Sequence, residues 1–152
     1  MNDDTLSRGG KQGRPCIFAS ALLARGATCA LAETLAHGES QSVACPSPAA
    51  HDNCGVFYGL LRAKSVFALK QRRTSPPIPH ALVMKLECGG LLGLRQVLDI
   101  EAPEVDVRQM LAIAEERFGG LEALPFDRIV GSIAHWQGRR PAKSRSGPGA
   151  KR

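Results

Sequence analysis

Three prolines in four positions, Pro76, Pro77 and Pro79, constrain the fold of this chain more than any other feature. Each ring removes a backbone donor and biases the residue before it toward extended geometry, so neither a helix nor an inner strand can run through them. Residues 71–80 therefore read as a linker between a cysteine-rich subregion, 16–70, and a helical half, 81–136. A chain of 152 residues suits a single domain, so both sides of the linker are expected to share one core.

Helical patterning is clearest after the linker. Asp106 reads as an N-cap, with Val107, Met110, Leu111, Ala114 and Phe118 on one face and Gly119-Gly120 as the stop. A last helix is expected from Pro125 to Trp136, with Phe126, Ile129, Val130 and Ile133 inward. Before it, Ala81 to Glu87 fits either a strand or a helix, Cys88-Gly89-Gly90 reads as a break, and Leu91 to Leu98 as a short helix. On the amino-terminal side, the Ala/Leu-rich stretch from Cys16 to about Ala36 reads as a helix weakened near Gly26 and capped at His37-Gly38. A polar loop, Glu39 to Pro46, follows. Ser47-Pro48 then has the form of an N-cap with proline at the first helical position, opening a helix toward Lys70; Asp52 or Asn53 is an alternative cap. The expectation is a mainly α, single domain of about five short helices over 16–136. It is flanked by a disordered polar segment, 1–15, and a disordered basic tail, 137–152.

The net charge of +6 resides at the ends. The tail from Gln137 to Arg152 carries six basic residues and no acidic one, residues 1–15 add one positive charge, and the body 16–136 is −1. A basic tail can contact nucleic acid by counterion release, but one Tyr and one Trp give no stacking platform. The basic segments 62–73 and 139–152 are instead read as docking surfaces for an acidic protein partner, with nucleic acid the less favoured partner. No uncharged apolar run reaches the length of a membrane span, and Asp3, Asp4 and the placement of Cys16 argue against a secretory leader. The chain is read as cytoplasmic, where thiols stay reduced and five cysteines are ligands, reactive thiols or core residues in preference to disulfides.

Four of those cysteines, Cys16, Cys29, Cys45 and Cys54, lie in the first 54 residues. Four thiolates are the complement of a [2Fe–2S] or [4Fe–4S] cluster, and also of a structural zinc. No C-x-x-C pair exists, so the fold itself must bring the ligands together. Cys45 precedes the helix expected at Ser47, and Cys54 lies in its first turns, where the positive end of the helix dipole favours an anionic centre. Two alternates are His51, three residues before Cys54 on the same helical face, and Cys88, beside two glycines.

No dinucleotide fingerprint, phosphate-binding Gly-Lys-Ser/Thr loop, H-E-x-x-H or nucleophile elbow is present, and no catalytic residues are assigned. The sequence thus points to a small, non-enzymatic iron–sulfur protein with a redox-sensing, electron-transfer or accessory role. The alternatives are a zinc-stabilised interaction protein and, third, a thiol enzyme using Cys88.

Overall fold

The computed structural model describes residues 13–68, 79–102 and 106–138. The expected polar lead up to residue 12, most of the linker and the basic tail from residue 139 lie outside the described residues. The fold is mainly helical, as expected, with one small sheet that the sequence reading lacks.

The sheet corrects the expected helix over 16–36 and the expected loop over 39–46. Only Ala19–Leu23 (α1) is helical there; Glu33–His37 (β2) and Ser40–Cys45 (β3) form a hairpin, and Arg14–Pro15 (β1) pairs with the far edge of β3. All pairings are antiparallel in the order β1-β3-β2, with Arg14 opposite Cys45, Glu33 opposite Ala44 and His37 opposite Ser40. Gly38 does adopt a left-handed conformation, φ +67°, but as the first residue of a two-residue hairpin loop and not as a helix cap. The helix is cut short at Arg25, φ +62°, whose amide donates to the Leu22 carbonyl at 3.0 Å. Ala and Leu favour helix locally, and Thr34 and Val43 are the only β-branched residues in the hairpin strands, so pairing across the ladder prevails over local propensity.

Ser47 caps α2 (Pro48–Ser65) by accepting the Ala50 amide at 3.2 Å, with Pro48 at the first helical position. After Pro79, α3 (His80–Met84), a π-helical turn (Lys85–Gly89) and α4 (Gly90–Leu98) run on as one helical rod, so Cys88-Gly89-Gly90 is no break. These glycines permit close packing. A Cβ on Gly89 would lie 2.8 Å from the Ile133 Cα, and one on Gly90 2.5 Å from a Leu61 methyl. Asp106 caps α5 (Val107–Phe118) through Gln109, and Gly119, φ +81°, ends it. A 3₁₀ turn, Leu121–Ala123, leads into α6 (Phe126–His135).

The core lies where α2, α4, α5 and α6 meet. Phe57, Leu61, Leu94, Ile129 and Ile133 have no exposed surface there. Phe18, just before α1, joins this core through Phe57, their ring centroids 6.1 Å apart, and through an edge-on contact with Tyr58 at 6.0 Å. That contact ties the sheet end of the molecule to the helices and sets the walls of the site described next.

Candidate metal centre

Four separate elements deliver the four amino-terminal cysteines to one place. Cys16 leaves β1 with its amide donating to the Val43 carbonyl at 2.9 Å, which fixes it beside β3. Cys45 ends β3 opposite Arg14. Gly13, φ +70°, passes so close to Cys45 that any Cβ there would overlap the Cys45 carbonyl. Cys54 sits one helical turn beyond His51 on α2. Cys29 lies in the loop before β2, which is held against the start of α5: the Val107 amide donates to the Thr28 carbonyl at 2.8 Å, and the Ala30 amide donates to the Asp106 carboxylate. Asp106 therefore has two tasks, capping α5 through Gln109 at 3.1 Å and anchoring the Cys29 loop.

Cys16, Cys29, Cys45 and Cys54 all line a cavity of about 190 Å³, with α5 closing one side through Arg108, Leu111 and Glu115. All four are free thiols. Burial pushes the Cys16 thiol up to about 11, with Cys29 and Cys45 adding repulsion to its thiolate. Burial likewise pushes Cys54 up to about 12, with repulsion from Cys16, Cys29 and Cys45. Cys16 and Cys54 are thus protonated at neutral pH when nothing offsets their charge. As positioned, no set of three or more His, Cys, Asp or Glu among the described residues could hold a metal ion.

The two alternate ligands separate. His51 lines the cavity, yet its Nε2 donates to the Pro15 carbonyl at 3.1 Å and so serves to tie α2 to β1. Cys88 is buried in a different cleft and takes no part in this cavity. Arg108 and Glu115 were not anticipated. Their spacing with Leu111 (i, i+3, i+7) puts all three on one face of α5, a signal obscured because the more apolar face, with Met110 and Ala114, is the core one.

Glu87, on the π-helical turn, is the one buried carboxylate among the described residues. It accepts the Ala21 amide at 2.9 Å, and burial pushes it up to about 7 although that hydrogen bond and one from Ser20 act the other way. Its charge also acts on the Cys16 thiolate and on Tyr58, whose phenol is raised chiefly by burial. No helix of the described residues is long and apolar enough to cross a membrane. Compared with family models, curated proteins and solved structures, the chain matches none.

Proposed function

We propose that the cavity between β1, β3, α2 and the Cys29 loop holds an iron–sulfur cluster through Cys16, Cys29, Cys45 and Cys54, and that the protein acts in redox sensing, in electron transfer or as an accessory to a larger metalloenzyme. The observation that carries this reading is the convergence of four cysteines, spaced by 12, 15 and 8 residues and delivered by four elements, on one cavity. Cysteines buried as small hydrophobes have no reason to share a cavity that spans so much sequence. Zinc is less well suited. Structural zinc sites usually include a closely spaced Cys pair, and this chain has no C-x-x-C.

The residues around the cavity have chemical roles in this reading. A bound cluster would supply one-electron chemistry. Its loading requires four protons to leave the thiols, which makes loading pH-dependent. Arg108 places a positive charge on the cavity wall beside the negative charge of Glu115, and the Leu111, Val107 and Ile17 side chains limit water there. The raised Cys16 and Cys54 thiols are poor nucleophiles, which weighs against a thiol enzyme working at this cavity. Arg62 and Lys64, exposed in the last turns of α2, offer the described part of a docking surface for an acidic protein.

The test is anaerobic reconstitution with ferrous iron and sulfide, followed by iron and sulfide analysis and a visible spectrum. Replacing Cys16, Cys29, Cys45 or Cys54 by Ser is expected to lower bound iron each time, while Cys88→Ser leaves it unchanged. Equal iron in all five variants overturns the proposal. One equivalent of zinc in the protein as purified, with no iron taken up, moves the assignment to zinc.

A further inference from the structure

We infer that a second cleft, centred on Cys88, Arg25 and Trp136, binds a small organic monocarboxylate with an apolar body. This cleft has a volume of about 960 Å³ and, among the described residues, shares only Leu22 with the thiol cavity. Concave sites of that size, mostly apolar with a few convergent polar groups, are where small molecules bind. Its apolar wall comes from α1, α3, α4 and α5, including Leu22, Met84, Leu91 and Met110, with the Trp136 ring at one edge. Methionine side chains adapt to ligands of irregular shape.

The polar lining has one sign. Arg25, Lys85 and Arg95 line the cleft, and no Asp or Glu among the described residues does. That is not a reflection of composition, because residues 16–136 carry a net charge of −1. Lys85 and Arg95 are anchored: the Lys85 ammonium donates to the Ala134 carbonyl at 3.0 Å, and Arg95 donates to the carbonyls of Ile100 and Ala102. Both keep further N–H groups for a ligand. Glu87, two residues from Lys85, is occupied with the Ala21 amide and does not line the cleft, and neither do Asp99 and Glu101.

Arg25 is different. Its backbone is left-handed, φ +62°, a conformation in which a Cβ is strained and glycine is not. Glycine stands at the next position, Gly26, without needing positive φ. Among the described residues the Arg25 guanidinium has no acceptor, although it lines the cleft. A long cation held at a position whose backbone suits glycine, unpaired among the described residues and lining a cleft in which they place no acidic group, is the arrangement expected of an anion clamp. A carboxylate at Arg25 leaves the apolar body of the ligand against the methionines and Trp136.

Trp136 is the sole tryptophan of the chain, so its fluorescence reports on this cleft alone. Decanoate is the probe, with decanol and decyltrimethylammonium as neutral and cationic controls of equal chain length, all below their micellar range. Decanoate is expected to give a saturable one-to-one change, and the two controls to bind at least about tenfold more weakly. Arg25→Gly relieves the backbone strain, so its thermal midpoint should equal or exceed that of the unchanged protein while decanoate affinity falls about tenfold. Arg25→Gln keeps the side-chain length without the charge and should lose affinity similarly. The proposal is overturned by the absence of a saturable change, by equal binding of decyltrimethylammonium, or by undiminished affinity in both Arg25 variants. Cys54→Ser, which removes a thiol of the other cavity, should bind decanoate as the unchanged protein does.

Discussion

Asp106 offers the sharpest test of how the cysteine site is built, because its two carboxylate oxygens serve different structures. One accepts the Gln109 amide and caps α5; the other accepts the Ala30 amide and holds the loop that presents Cys29. Losing an N-cap costs about 1 kcal/mol. A hydrogen bond to a charged acceptor contributes about 1.5–3 kcal/mol, and exposure of this pair to water brings that to about 1–1.5 kcal/mol. Asp106→Ala removes both interactions and should destabilise by about 2–2.5 kcal/mol. Serine caps a helix as well as aspartate but is too short to hold both partners, so Asp106→Ser should lose only the loop anchor, about 1–1.5 kcal/mol. Asparagine keeps the reach but has one acceptor oxygen, and its NH2 cannot accept the second amide, so Asp106→Asn should also lose one of the two interactions and cost at least as much as Ser. Urea unfolding of the metal-free protein gives these differences, and iron uptake in the same variants reports whether Cys29 has come loose. If Asp106→Ser lies within about 0.5 kcal/mol of the unchanged protein, the range of inert surface changes, and takes up full iron, the anchoring role is wrong.

Three further outcomes follow from the geometry. Glu87 is neutral in the folded chain up to about 7 but ionises at its ordinary, lower value when unfolded, so its contribution to stability is fully present in acid and is lost, by about 2–3 kcal/mol, as pH rises through that window. Glu87→Gln should abolish the slope, and an unchanged slope in urea melts at pH 5 and 8 would remove Glu87 as its source. Gly13→Ala places a Cβ against the Cys45 carbonyl at φ +70° and should cost about 2 kcal/mol or more while lowering iron uptake; a stable, fully loaded variant would show that β1 does not need this close approach. In the metal-free protein at pH 8, Cys54, pushed up to about 12, should react with iodoacetamide at least about tenfold more slowly than an unhindered thiol, as read by peptide mass spectrometry.

What could be read from the linear chain was whatever rests on neighbours a few residues apart. The Ser47 and Asp106 caps, the stop at Gly119, the end of α4 at Leu98 and the positions of α5 and α6 came from short-range chemistry, and each is present where expected. The mainly helical class follows from the same local signals. The glycines at 89 and 90 misled for a related reason: glycine punctuates a free chain, but here Leu61 and Ile133 press against the helix at those positions and leave no room for a side chain.

The candidate ligands were legible as residue types, because only sulfur-rich sets suit a cluster, but their meeting was not. Strand pairing over 33–45 rests on a register between segments of weak β propensity, and the approach of Cys29 rests on a carboxylate 76 residues beyond its neighbour Ala30. Such contacts carry no periodic signature, since the entropy of closing those loops is offset only when the whole core forms. Sequence alone determined the helical class, its caps and the inventory of thiols; tertiary structure decided which thiols share a cavity and that Cys88 does not, because burial and charge depend on what is near in space and not on what is near in the chain.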